Sequence, residues 1–274
     1  MTEPTLGCYV YCVVRAEEHP PLDGLRGADP DFAVEIVTHG GLSALVCRVR
    51  LEEFGSEPLK RNLEDLAWVE RTARAHDAVL ARALSADALV PFRLCTVFTD
   101  ETHVREMLER ERGALLEALE RLRGHSEWSV KVLADRRKLE AAARERSPAL
   151  TATAADAEGE APGRAFFERK KLDQALQGEA RAMAEGAAEE IHARLREEAA
   201  ASTLLPPQHP ELSGRSGQML LNGAYLVHRS KAADFMAVAR ELGERHRRIG
   251  LDVEYSGPWA PYNFVPAAEA SHDR

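Results

Sequence analysis

The sequence predicts an α+β chain of two domains, the second a modified ferredoxin-like βαββαβ fold interrupted by a helical, coiled-coil-like extension. Three observations lead there. From Leu89 onward, stretches of period two and of period three to four follow one another as strand, helix, strand, helical excursion, strand, helix, strand. Between Asp135 and Leu205 the composition turns to Ala, Glu and Arg, and strand formers nearly vanish. Before Leu89, three short strands and a helix make a separate α+β unit. The resulting boundaries are 1–87 for an N-terminal α+β domain and 88–265 for the ferredoxin-like domain, with its extension at 136–205. Residues 266–274 remain as a C-terminal tail expected to be disordered.

Cys8 to Val14 is the first strand, followed by a loop marked by Pro20, Pro21, Gly24, Gly27 and Pro30. Phe32 to Thr38 and Leu42 to Val49 are two more strands, and His39-Gly40-Gly41 between them reads as a hairpin turn. A strand follows Gly40-Gly41 rather than a helix, so the pair is no phosphate cradle. Helix signals begin near Pro58, where Leu63, Leu66, Val69, Ala73, His76 and Leu80 recur at helical spacing. That stripe places His76 on or beside an apolar face, where a histidine is more often a hydrogen-bonded core residue than a catalyst.

Leu89 to Phe98 reads as the next strand, with Pro91 near its start. Thr99 or Asp100 can cap the helix that follows, whose inner face is Val104, Leu108, Leu115, Leu119 and Leu122, and Gly124 ends it. Trp128, Val130 and Val132 alternate with polar neighbours as a half-buried strand. In the extension, Ser147 to Gly163 reads as a flexible break between a short helix, Arg136 to Arg146, and a long one from Arg164 to Ala201. The long helix carries a narrow stripe of Leu172, Leu176, Met183, Ala187, Ile191 and Leu195, which suits either a solvated hairpin or a self-association arm. Gln218 to Ser230 returns to strand, and Phe235, Val238, Ala239 and Leu242 mark a helix. Leu251 to Ser256 alternates as the last strand.

This topology predicts that the last strand lies beside residues 90–98. Phe92, Leu94, Phe98, Trp128, Val130, Tyr225, Val227, Val253 and Tyr255 would then meet under two helices, with Arg93 near Asp252 or Glu254. Gly257 to Phe264 would form a stiff aromatic clip of Trp259, Tyr262 and Phe264 lying against the N-terminal domain. Trp259 is expected to be largely buried, so that Trp259→Ala would cost about 3–5 kcal/mol.

Composition narrows the function. Lys and Arg number 36 against 45 Asp and Glu, a net charge of −9, which argues against wholesale binding of nucleic acid or an anionic membrane. No apolar run approaches the roughly 20 residues needed to span a bilayer. The N-terminus lacks a secretion signal, so a cytoplasmic location is expected. Cys8 and Cys12, about 13 Å apart on one strand, cannot pair. With no zinc spacing among Cys8, Cys12, Cys47 and Cys95, buried free thiols are expected. No nucleophile motif and no cofactor-binding or metal-binding pattern is present in the sequence.

Six stretches, in order along about 250 residues, carry a family resemblance. They are Tyr9-Val-Tyr, Gly41-Leu-Ser-Ala-Leu-Val, Trp68-Val-Glu-Arg-Thr-Ala-Arg-Ala-His76, Val90-Pro-Phe-Arg-Leu-Cys-Thr-Val-Phe98, Glu127-Trp-Ser-Val-Lys-Val132 and Tyr255-Ser-Gly-Pro-Trp-Ala-Pro-Tyr-Asn-Phe264. On these residues the chain resembles the gas vesicle protein GvpL/GvpF family. Two departures stand out: the family strand usually reads Pro-Leu-Arg-Phe-Gly-Thr where this chain has Pro91-Phe-Arg-Leu-Cys-Thr96, and Ala260 replaces a proline of the tail. The resemblance implies two α+β domains with a tail packed between them. It also implies an accessory or minor structural protein located at gas vesicles. Its partners would be the main shell protein and other accessory proteins. It would assist nucleation and limit shell-protein aggregation, without catalysis or a cofactor. Whether such a protein remains in the wall or acts only in assembly is left open. The alternative is a small-molecule-binding or enzymatic protein using a polar cluster of Arg74, His76, Arg93 and Asp252 or Glu254 in an interdomain cleft.

Overall fold

Strand β1 (Leu6–Arg15) organises the first of two units, which comprises residues 1–127 and 258–274; the second is 128–257. The computed structural model describes residues 5–18, 20–147, 162–207 and 217–265. Most of the break expected at 147–163, and the tail 266–274, lie outside the described residues. Mixed helix and sheet is what the sequence predicts. The division differs from the expected boundary at 87/88, because the chain crosses between units at 127/128 and again at 257/258.

β1 pairs with β3 (Leu42–Arg50), which pairs with β2 (Val34–His39), both antiparallel. Gly40 and Gly41 join β2 and β3 with positive φ, as a tight hairpin demands. Tyr9 to Val14 are fully buried, the pattern of a strand covered on both faces. A bulge at Tyr11, between the pairs Val10↔Val46 and Cys12↔Leu45, brings Tyr9, Tyr11, Cys12 and Val14 into one apolar cluster. The face packed there by α3 (Leu66–Ala83) is Trp68, Thr72, His76, Val79, Leu80 and Ala83. The expected stripe is corrected in part: Leu66 is 84% exposed. Asp65 caps the helix through the Ala67 and Trp68 amides, so Leu66 opens the first turn and the bulkier Trp68 turns inward.

The expected strand 89–98 is not continuous. Only β4 (Val90–Pro91) and β5 (Val97–Phe98) pair, both with β1 and neither with the last strand. Between them the Arg93 carbonyl accepts the Thr96 N–H (3.2 Å) and Oγ1 (2.8 Å), and Cys95 adopts φ 63°. The register that placed Arg93 beside Asp252 or Glu254 therefore fails, as does the grouping of Phe92, Leu94 and Phe98 with the later strands. Cys95 stands where the resemblance expects glycine, in a left-handed conformation that costs a side-chain-bearing residue about 1–2 kcal/mol. Cys95→Gly is expected to raise stability by about 0.5–1 kcal/mol, since glycine's own chain entropy offsets part of the gain; chemical denaturation of the two proteins measures it.

Helices α4 (Glu101–Arg110) and α5 (Arg112–Leu122) bury Val104, Leu108, Leu115, Leu119 and Leu122, the expected inner face, with Asp100 as the cap. Their single predicted helix is broken at Glu111 (φ −93°, ψ 4°). Two short helices, α1 (Leu51–Phe54) and α2 (Ser56–Asn62), precede α3.

The second unit runs from β6 (His125–Ala134) through α6 (Arg136–Arg146), α7 (Pro162–Glu197), β7 (Ala201–Leu204), β8 (Gln218–His228) and α8 (Ala232–His246) to β9 (Leu251–Trp259), the residues of β6 before Trp128 and of β9 after Gly257 belonging to the first unit. Its sheet order is β7-β8-β6-β9. The strand-helix-strand-strand-helix-strand sequence is thus supplied by different elements from those expected: the helical excursion provides the first crossover, and β7 is an additional strand. Trp128, Val130, Val132, Tyr225, Val227, Phe235 and Leu251 form its core together with Leu139, Ala180, Ala184, Ala187, Ile191 and Leu195 from the helical arm. At 1.5 Å per residue α7 is about 54 Å long. Among its described side chains the buried positions begin at Leu176, while Phe166 and Phe167 are exposed.

Candidate functional site: a C-terminal clasp

The residues after β9 return to the first unit and are fastened there by small and polar groups. Ala260 packs in the Tyr9–Tyr11–Trp68 cluster. The Tyr262 hydroxyl lies 2.7 Å from His76 Nε2, and His76 Nδ1 lies 2.9 Å from the Tyr9 hydroxyl. The Tyr9 oxygen also accepts the Cys95 N–H at 2.9 Å. Each of the two hydroxyls can donate to or accept from the ring nitrogen it faces, so the site fits either neutral tautomer. Burial lowers the His76 pKa to about 4, a shift only partly opposed by the Phe92 carbonyl.

Glu127, buried at the unit's end of β6, accepts the Asn263 amide N–H (2.9 Å) and its side-chain Nδ2 (2.6 Å). Burial raises the Glu127 pKa, and these two bonds hold the rise in check. Arg121 donates to the Phe264 carbonyl at 3.1 Å. Tyr9, Arg121, Glu127 and Asn263 escaped sequence reasoning. Glu127, a carboxylate inside an apolar strand pattern, was the one visible signal.

Of the aromatic clip, Trp259 is 48% exposed and Tyr262 38%, and Phe264 is half-buried. The expected burial of Trp259 is corrected: β9 ends there, and the cluster accommodates the compact Ala260 instead. Trp259→Ala should accordingly cost about 2 kcal/mol, well short of the loss for a fully buried ring, as thermal unfolding would register.

The proposed polar cluster does not converge on α3. Arg74 turns outward to Glu70 (2.5 Å), while His76, two residues on, turns inward to the tyrosines. Arg93 is exposed in the first unit, whereas Asp252 and Glu254 belong to the second. The thiols are not activated: burial pushes Cys95 up to about 11 and Cys8 to about 12, and raises Cys12 and Cys47 as well. Among the described residues no group of three or more His, Cys, Asp or Glu side chains could hold a metal, and no helix is long and apolar enough to cross a membrane.

Comparison with known proteins adds what geometry lacks. A family model described as gas vesicle synthesis protein GvpL/GvpF matches residues 7–266. Gas vesicle protein L of Streptomyces sp. (strain CB03234) is 36% identical over 95% of this chain and 93% of its own length. Gas vesicle protein F of the same strain is 31% identical over 95% of this chain and its whole length. In fold, the chain matches the crystal structure of gas vesicle protein GvpF from Anabaena sp. PCC7120 with a TM-score of 0.71 at 21% identity, covering 95% of this chain and 98% of the other.

Proposed function

We propose, from the premise that this chain belongs to the GvpL/GvpF family of gas vesicle synthesis proteins, that it is an accessory protein of gas vesicle assembly. In this reading it binds the main shell protein, limits its aggregation and assists nucleation of the vesicle. The match over residues 7–266 carries the reading, because it spans both units rather than one motif. The inert thiols and the inward-facing His76 agree with a binding role. We further read the second unit as ferredoxin-like, since its sheet order places the first and third of its strands at the centre. The tail residues Trp259, Tyr262 and Phe264 are read as an intramolecular fastening. The site of action is the gas vesicle, and the other partners are further gas vesicle proteins.

Co-purification of the tagged chain with the main shell protein tests the proposal. Retention of the shell protein, together with loss or malformation of vesicles when the chain is deleted, is the expected result. No retention and normal vesicles after deletion would overturn it.

A further inference from the structure

We propose that the C-terminal clasp is an acid-opened latch whose pin is His76: a proton taken up by this ring releases residues 258–265 while the β1 sheet stays folded. His76 is 2% exposed and ties the tail to β1, with Nδ1 2.9 Å from the Tyr9 hydroxyl and Nε2 2.7 Å from the Tyr262 hydroxyl. A second ring proton creates a cation beside the buried Tyr9–Tyr11–Ala260 cluster, and release of the tail lets water reach it.

Among the described residues no carboxylate is hydrogen-bonded to or ion-paired with this ring, whose two nitrogens face Tyr9 and Tyr262. From β1 the ring meets Tyr9 and Tyr11, whose ring centroids are 5.8 and 5.4 Å away. From the 92–95 turn it meets the Phe92 carbonyl and, through Tyr9, Cys95. From the tail it meets Tyr262, which in turn senses Asp77, Cys12 and Glu127. On its own helix Arg74 is engaged with Glu70 on the outer side. Arg121, from the last turn of α5, donates to the Phe264 carbonyl of the tail.

The sign follows from linkage. His76 ionises near pH 6.5 when hydrated and near 4 when clasped. Its contribution to closure is complete above pH 6.5 and is lost as pH falls towards 4. Glu127 works in the opposite direction: its pKa is raised, so protonation relieves a buried charge and favours closure as pH falls. The two residues therefore give slopes of opposite sign, which makes the pin identifiable.

Hydrogen exchange of the intact protein, corrected for intrinsic rates, would follow a peptide covering 258–265 beside one from β1. With Glu127→Gln in place to remove the opposing slope, the tail-opening constant should rise by up to tenfold per pH unit below about pH 6.5, or about 100-fold by pH 4.5. The β1 peptide should stay protected. Adding His76→Gln should abolish the rise. Should that variant fail to fold, Tyr262→Phe serves instead, with a tail already open at neutral pH and a flatter acid response. Simultaneous loss of tail and β1 protection, an unchanged tail, or the same slope without the imidazole would overturn the latch.

Discussion

Asp29→Ala is expected to destabilise the first unit by about 3 kcal/mol, near the lower end for breaking a buried ion pair. Asp29 is fully buried in the loop between β1 and β2. Its carboxylate accepts Arg50 Nε at 3.0 Å and NH2 at 2.8 Å, the bidentate arrangement that charge-assisted bonds favour. It also accepts the backbone amides of Arg50 at 3.3 Å and Asp31 at 3.2 Å. Removal leaves these donors without their acceptor. Arg50 has 37% of its side chain exposed and a second partner in Asp31 at 2.8 Å, so it can rehydrate, which keeps the loss from being larger. Urea unfolding monitored at unit 1 would measure the loss. A change below about 1 kcal/mol would mean that the loop is held by its apolar contacts alone.

The second large effect concerns the helical arm. Ile191→Ala should cost about 2–5 kcal/mol, because the fully buried side chain packs in the same cluster as Val130, Tyr225 and Phe235. Phe166→Ala, on the exposed first turns of the same helix, should stay within about 0.5 kcal/mol. Paired unfolding curves would establish whether α7 is a core element at its C-terminal half and a projection at its start. Equal effects at both positions would contradict that division.

Much of this was legible in the sequence, and the failures have physical causes. β1 and β3 were readable because their apolar runs have no competing period. Of the stripe Leu172, Leu176, Met183, Ala187, Ile191 and Leu195, readable by its helical spacing, Leu176, Ala187, Ile191 and Leu195 are buried and Leu172 and Met183 half-buried. The run 89–98 misled because its residue types favour strand while Pro91 lacks a donor and Cys95 takes a positive φ, neither of which the alternation reveals. β7 was missed because Ala-Ser-Thr-Leu is too short to carry a period. In the tail the largest ring is the conspicuous feature, whereas Ala260 is the buried contact and Asn263 bonds the buried Glu127. The bonds that define the clasp join residues as far apart as 76 and 262, a separation that no local pattern encodes.

The two crossings of the chain, at 127/128 and 257/258, make the second unit an uninterrupted insertion within the first. During synthesis the 186 residues between His76 and Tyr262 take about 10–40 s to emerge at roughly 5–20 residues per second. For that time the first unit has its sheet but lacks Ala260 and Tyr262, while every residue of the inserted unit becomes available before the last piece of the first. Among the described contacts of the first unit, those of the clasp are therefore the last to become available, and a chain ending just before Ala260 would lack the Ala260 and Tyr262 contacts beside Tyr9 and His76.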